Sequence, residues 1–152
     1  MPDLDRSVWT QTVGIDARGR VSLPPPVRQR LAWTNAAGIY LARLHGNGAV
    51  EVVTWAGNGE RIRTALRERY DALPKHQRAD FALAAMDRFQ KFRGEKGGRL
   101  TLPAIVRSQI DPKGLQFVRI VVRDGSFHLW NDEAWKAGRV KRIALLEREG
   151  IL

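Results

Sequence analysis

Two short stretches of the chain place an acidic residue four positions before an arginine, with a glycine directly before that arginine. The first runs from Asp16 to Arg20, and the second runs from Glu95 to Arg99. Glycine adopts positive φ without a Cβ clash, so each stretch suits a tight turn that presents its arginine. The carboxylate can accept hydrogen bonds from turn amides or hold the guanidinium, which limits the arginine rotamers. A guanidinium held in this way can recognise the edge of a guanine base.

The sequence around the first turn is repeated in the second half of the chain. Residues 19–28 and 98–107 align without a gap, and six of the ten positions are identical. Each copy continues as a short alternating strand that ends in Leu-Pro, and proline favours the start of a helix. This repetition predicts a duplicated structural unit. The alternative is a purely structural turn with solvated arginines, which a basic chain also allows.

Arg28 and Arg107 are also identical between the copies, and they follow the strand-ending prolines on the predicted short helix. The guanidinium fork suits a structural ion pair and a phosphate contact equally well. Both roles stay open for these two residues.

The composition favours an anionic partner. The 26 lysines and arginines outnumber the 16 acidic residues and give a formal net charge of +10. Charge alone does not choose between nucleic acid, a membrane surface and an acidic protein. The chain has no apolar run long enough to span a membrane, and residues 1–6 do not resemble a signal peptide, so we expect a soluble cytoplasmic protein. The lack of cysteine excludes disulfides and thiolate metal sites.

The first copy predicts a small β-rich unit with one helical turn. Alternation from Trp9 to Ile15 indicates a strand that runs into the first turn, and a short helix follows near residues 25–31. Residues 38–44 and 49–54 read as paired strands joined by the glycine-rich loop 45–48.

Two helical patterns follow as a connector. An apolar stripe begins at Ile62 and stops at Pro74, and a second stripe places Phe81, Phe89 and Phe92 on one side of a helix predicted over residues 75–92. Aromatic residues at this spacing are typical of core packing.

The second copy repeats the order of the first. Residues 117–122 form its predicted long strand, Asp124-Gly125 a hairpin turn, and Asn131 the N-cap of a basic, amphipathic C-terminal helix that carries Trp135, Ile143 and Leu146. No low-complexity linker separates the copies, so we expect them to share one core. The predicted units are residues 7–54 (first repeat), 55–92 (helical connector), 93–131 (second repeat) and 132–152 (C-terminal helix).

Both turns with their Leu-Pro continuations resemble the AbrB/MazE/SpoVT superfamily of swapped-hairpin DNA-binding domains. The tandem arrangement, the connector and the ending from Phe127 to Trp135 are similar to the MraZ family of transcriptional regulators. This resemblance implies an α+β fold in which two pseudo-repeated half-domains interlace into one small β-barrel. It also implies a homo-oligomeric ring that binds double-stranded DNA at short direct repeats upstream of its own operon, the cell-division and cell-wall cluster.

The resemblance further implies which residues face DNA. They are Asp16 and Arg20 in the first copy and Arg99 in the second, with Glu95 standing where the family has aspartate. Arg18 and Lys96 are added because of their positions inside the same turns. A nucleoid-associated protein without cofactor, metal, membrane or small-molecule substrate is expected.

Two other functional classes compete with this interpretation. Antitoxins share the barrel, and they bind DNA with it and a toxin with a flexible tail, whereas the tail here is basic. An enzyme is not expected, because His45, His76 and His128 are scattered and no metalloprotease, phosphate-loop or nucleophile-elbow motif occurs.

Overall fold

A computed structural model describes residues 8–152 of the chain. Residues 1–6 and Ser7, where the first repeat is predicted to begin, lie outside the described residues. Within the described part, no helix has the length and apolarity that crossing a membrane requires.

The first half of the fold follows the order that the sequence predicts. A proline precedes the first helix and two more occupy its first positions, where a missing N–H costs nothing. The elements are β1 (Val8–Gly14), β2 (Arg20–Ser22), α1 (Pro25–Arg30), a 3₁₀ turn (Ala32–Asn35), β3 (Gly38–Leu44) and β4 (Ala49–Thr54).

The second half repeats that order after a helical hairpin. The elements are α2 (Gly59–Ala72), α3 (Lys75–Arg88), β5 (Phe89–Glu95), β6 (Arg99–Thr101), α4 (Ala104–Ile110), β7 (Phe117–Arg123), β8 (Ser126–Trp130) and α5 (Asp132–Arg148). Asp124 adopts positive φ in the hairpin turn between β7 and β8, as the Asp-Gly signal predicts.

The predicted end of the second connector helix is wrong. The helix stops at Arg88, and the aromatic residues that were expected to continue its stripe belong to β5. Phe89 stands opposite Arg43 on β3, and Phe92 stands opposite Tyr40, whose ring lies 5.8 Å from its own. Pairing with a distant strand therefore overrides a spacing that also fits a helix.

Within residues 8–152 the eight strands form one antiparallel sheet in the order β1-β7-β8-β4-β3-β5-β6-β2. Contacts between the two end strands bring β1 beside β2, which makes a nearly closed barrel. The first repeat contributes β1 to β4 and the second contributes β5 to β8, so pairs of strands from the two repeats alternate along the sheet. The predicted α+β fold with an interlaced barrel is confirmed.

The pairing obeys an approximate two-fold symmetry between the repeats. β1 pairs with β7 as its equivalent β5 pairs with β3, while β2 and β4 pair with their own equivalents β6 and β8. Among the strands of residues 8–152, only the β3–β4 and β7–β8 hairpins and the β5–β6 pair are formed within one repeat. Each repeat therefore needs the other to complete its hydrogen bonding.

One hydrophobic core lies inside the barrel and takes matching residues from both repeats. Phe127 is fully buried, and its ring stacks on Trp33 with centroids 5.9 Å apart. The equivalent buried residues are Val21, Leu23, Val27 and Leu31 in the first repeat and Leu100, Leu102, Val106 and Ile110 in the second.

The C-terminal helix α5 begins as predicted, because the Asn131 side chain accepts a hydrogen bond from the Ala134 amide at 3.0 Å. Asp132 at its start is buried and binds Arg119 on β7 at 2.9 Å and Lys136 at 3.0 Å. Burial raises the pKa of Asp132, but the hydrogen bonds from Lys136 and Arg119 outweigh it, so the pKa lies below its ordinary value.

The rest of α5 is not amphipathic, so that prediction is wrong. Val140, Ile143 and Leu145 are exposed, and these positions are spread round the helix at 100° per residue instead of sharing one face. The start of the helix is anchored to the barrel, and its later turns present apolar side chains to solvent.

Candidate nucleic-acid interface

The strands that follow the two turns pair with each other and form a short two-stranded ribbon, β2 with β6. Val21 stands opposite Leu100 at its centre, and both side chains are buried. Because side chains alternate along a strand, the flanking residues point outward. Arg20 and Arg99 therefore lie on the same outward face, one from each repeat. We call this pair of strands the arginine ribbon.

The two arginines occupy diagonal positions of the arginine ribbon. Arg20 stands opposite Thr101, and Arg99 stands opposite Ser22. Diagonal neighbours on one face of an antiparallel pair have Cβ atoms about 7–8 Å apart, which long side chains can bridge. The fold thus brings together two residues that lie far apart in the sequence.

The first turn holds Arg20 through Asp16. One carboxylate oxygen, Oδ1, accepts hydrogen bonds from the amides of Arg18 and Arg20, both at 2.9 Å. The other, Oδ2, accepts a hydrogen bond from Arg20 Nε at 2.8 Å. Gly19 completes the turn with φ of 79°. Because the side-chain bond uses Nε, it orients the guanidinium without engaging its Nη groups.

These contacts also affect the charge of the carboxyl group. The hydrogen bond from the Arg20 amide, followed by the bond from the Arg20 side chain, lowers the pKa of Asp16 below its ordinary value. Asp16 is therefore ionised at neutral pH and keeps its hold on the arginine.

The second turn precedes β6 as the first precedes β2, but its backbone conformation and its contacts differ. Glu95 stands opposite Arg99 in the β5–β6 ladder, yet no ion pair joins their side chains in the described part of the chain. Gly97 and Gly98 adopt φ of 86° and 82°, and the Gly97 amide donates to the Asn35 carbonyl at 3.0 Å. Arg99 is exposed and is not held by its carboxylate as Arg20 is.

A cleft of about 470 Å³ runs between β1 and the arginine ribbon. Both arginines line it, so they share one concave surface. Its lining residues are Val13, Gly14, Ile15, Asp16, Arg20, Ser22 and Arg99.

The remaining turn cations lie at opposite ends of the arginine ribbon. Arg18 belongs to the turn before β2, and Lys96 belongs to the turn before β6; both side chains are exposed. Since the two strands are antiparallel, the turns that precede them lie at opposite ends. Cationic side chains therefore lie at both ends of the arginine ribbon as well as on its outward face.

Arg28 and Arg107 lie elsewhere, each beside the turn of the other repeat. A methyl group added at Gly19 would lie 2.7 Å from Arg107 Cδ, and one added at Gly98 would lie 2.7 Å from Arg28 Cδ. Both arginines are half-buried. Within residues 8–152 neither of them makes the ion pair that the sequence allows.

Sequence reasoning overlooked the hydroxyl groups of the same face. Ser22 and Thr101 are exposed and stand directly opposite Arg99 and Arg20. The alternation around the buried Val21 could have identified them, because residues on either side of an inward position must face outward.

The histidines form no catalytic arrangement with the ribbon. The rings of His45 and His128 lie 6.5 Å apart, and His128 Nε2 lies 3.6 Å from a Glu51 carboxylate oxygen. Burial lowers the pKa of both histidines, which favours their neutral forms. Among the described residues, no cluster of three or more His, Cys, Asp or Glu side chains could hold a metal ion.

Comparison with known proteins supports the resemblance to MraZ. Over 136 residues the chain is 29% identical to a protein described as transcriptional regulator MraZ from Xanthobacter autotrophicus (strain ATCC BAA-1158 / Py2). The aligned region covers 88% of this chain and 82% of that protein. The chain is similar to MraZ over most of its length. At this coverage the similarity to MraZ includes both repeats. No protein family model matches the chain.

Proposed function

We propose that this chain is a sequence-specific DNA-binding transcriptional regulator that reads bases with the arginine ribbon. The observation that supports this most strongly is the placement of Arg20 and Arg99 on one outward face. Two repeats interlace to produce that face, and its two cations come from equivalent positions of the repeats.

The shape of the arginine ribbon suits the major groove of DNA. That groove is about 12 Å wide and admits a two-stranded β-ribbon, whose paired strands lie about 4.8 Å apart. An arginine that binds guanine O6 and N7 together contributes about 1–3 kcal/mol of discrimination. Arg20 is prepared for such a contact, because Asp16 restrains its Nε and leaves the Nη groups out of that bond.

The charge around the ribbon suits the phosphate backbone. Arg18 and Lys96 extend from the two ends, and Arg93 is exposed on the neighbouring strand β5. Phosphate contacts position a protein on the duplex without reading sequence. They also release counterions, so we expect the affinity to fall steeply with salt concentration.

Two arginines are too few to define an operator on their own. Several copies of the chain in a homo-oligomeric ring could each place a ribbon on one of several evenly spaced direct repeats, so that weak contacts add. We propose that the chain forms such a ring and that its target is a set of repeats upstream of its own operon. The resemblance suggests the cell-division and cell-wall cluster as that operon and a nucleoid-associated location in the cytoplasm.

The test begins with selection of bound duplexes from a random pool and a footprint on the DNA upstream of the gene. Affinity for the best selected duplex and for a scrambled duplex is then measured with Arg20→Ala, Arg99→Ala and Arg67→Ala. Arg67 is an exposed arginine on α2, away from the ribbon, so its variant controls for the loss of one charge.

We expect Arg20→Ala and Arg99→Ala to lower the preference for the selected duplex, each by at least about fivefold, while Arg67→Ala leaves it unchanged. Equal preferences in all three variants would refute the role of the ribbon. A random pool from which no sequence is enriched would refute sequence-specific binding.

A further inference from the structure

We propose that Arg28 and Arg107 are positioning residues, each of which holds the arginine-bearing turn of the opposite repeat. Arg107 in the second repeat sets the turn of Arg20, and Arg28 in the first repeat sets the turn of Arg99. This inference rests on the proposed DNA-binding function, and it concerns the residues that fix the orientation of Arg20 and Arg99.

The contact on the first turn involves the guanidinium itself. A methyl group built on Gly19 would lie 2.7 Å from Arg107 Cδ, 2.8 Å from Nη1 and 2.9 Å from Nε. These distances are shorter than ordinary van der Waals separations, so the Arg107 side chain occupies the space over the Gly19 Cα. It therefore packs directly behind the residue that precedes Arg20.

The contact on the second turn involves the stem of Arg28. A methyl group built on Gly98 would lie 2.7 Å from Arg28 Cδ and 3.2 Å from its Cγ. The same residue acts through its backbone, because its carbonyl accepts a hydrogen bond from Asn35 Nδ2 at 3.1 Å. The backbone carbonyl of Asn35 in turn accepts a hydrogen bond from the Gly97 amide at 3.0 Å. Arg28 thus supports two successive residues of the turn before Arg99.

Backbone hydrogen bonds tie the same partners together in a reciprocal pattern. The Leu102 amide donates to the Gly19 carbonyl at 2.9 Å, and the Leu23 amide donates to the Gly98 carbonyl at 2.8 Å. Each turn glycine is therefore fixed by the strand end of the other repeat, just before the helix that carries the packing arginine. The two turns form one unit, and the fold positions Arg20 and Arg99 relative to each other.

A phosphate contact is the competing role for these arginines, and the geometry disfavours it. Both side chains are half-buried, and Arg28 Nε is shielded from solvent and has no hydrogen-bond partner among residues 8–152. The part of each side chain that meets the turn is therefore used for packing. A packed arginine side chain contributes through its shape, and an uncharged side chain that reaches the positions of Cδ and Nε can supply most of that shape.

The experiment is a set of double-mutant cycles on the full chain, with the selected duplex and its scrambled counterpart as probes. Arg107→Ala and Arg28→Ala are each combined with Arg20→Ala and with Arg99→Ala. We expect Arg107→Ala to lower the preference for the selected duplex by at least about fivefold, the smaller contribution of one base-reading arginine. This loss should vanish when Arg20 is already alanine and persist when Arg99 is alanine. Arg28→Ala should show the reverse pattern.

Arg107→Met and Arg28→Met test the same idea if either alanine variant does not fold, because methionine keeps a long unbranched side chain without charge. We expect both methionine variants to retain the preference and the wild-type dependence of log affinity on log salt concentration. Loss of one phosphate contact would instead reduce that slope by about 0.9 and weaken both duplexes equally. That result, or equal coupling of Arg107 to Arg20 and Arg99, would overturn the inference.

The two proposals can fail separately. If Arg20→Ala and Arg99→Ala leave the preference unchanged, the proposed function is wrong. If they lower it but the coupling does not cross between repeats, only the positioning role is wrong.

Discussion

Replacing Gly98 with alanine should destabilise the protein more than replacing its neighbour Gly97. Both residues adopt positive φ, at 82° and 86°, so an alanine at either position incurs a backbone strain of about 1–2 kcal/mol. The environments differ, since a methyl group at Gly97 meets no atom of the described residues within 4 Å. A methyl group at Gly98 would lie 2.7 Å from Arg28 Cδ and 3.3 Å from Leu23 Cβ.

The extra cost at Gly98 follows from these neighbours. Leu23 is only 2% exposed, and its Cβ cannot move without the backbone at the end of β2. Overpacking of this kind costs about 1–3 kcal/mol beyond the backbone strain. For a domain of this size each kcal/mol lowers the melting temperature by about 2–4 °C. Gly98→Ala should therefore melt about 2–12 °C below Gly97→Ala.

Thermal unfolding followed by circular dichroism measures the difference in melting temperature. Urea unfolding measures the underlying difference in unfolding free energy, with an unchanged m-value as the check that both variants unfold by the same process. The first turn offers a second matched pair, because Gly19 and Gly57 share a φ of 79° and only Gly19 faces a side chain, that of Arg107. The difference in unfolding free energy between Gly19→Ala and Gly57→Ala should be smaller, since the end of an arginine side chain can move aside. Equal unfolding free energies for Gly98→Ala and Gly97→Ala would refute the packing argument.

Three further predictions concern charge and the core. Asp16→Asn should weaken the preference for the selected duplex with little change in unfolding, whereas Glu95→Gln should leave that preference unchanged, because only the first carboxylate binds its arginine. Asp132 has a lowered pKa in the folded state, so its stabilisation is present above the unfolded value of about 3.8 and is lost as the pH falls through the folded value. Asp132→Asn should therefore reduce the acid-induced loss of stability in urea titrations below pH 4. Phe127→Ala should cost about 3–5 kcal/mol in one cooperative calorimetric transition, because its fully buried ring packs in a core built by both repeats.

Local pattern predicted the elements of the arginine ribbon well. The alternation at Val21 and Leu100, the glycine before each arginine and the prolines after each strand are signals carried by neighbouring residues. Each signal is present in both copies. In both copies the structure has a turn, a short strand and a helix at these positions. The placement of both arginines outward follows from the same alternation.

Long-range pairing was harder to predict. The aromatic residues from Phe81 to Phe92 fit one helical stripe. However, Phe89 and Phe92 belong to a strand that pairs with β3, and local spacing does not encode this pairing. The packing of Arg28 on Gly98 depends on two residues that meet only after the repeats interlace. The exposure of Val140 on α5 also reflects the whole fold, since α5 is anchored mainly near its first turn.

The proposed function requires two arginines from different repeats to read one DNA site together. The most direct measurement compares footprints on the DNA upstream of the gene for the wild-type chain, Arg20→Ala, Arg99→Ala and the control Arg67→Ala. The proposed function predicts evenly spaced protected repeats with the wild-type chain and the control, and loss of that protection with either ribbon variant. The same protected repeats with both ribbon variants, or uniform protection without repeats in the wild type, would contradict it.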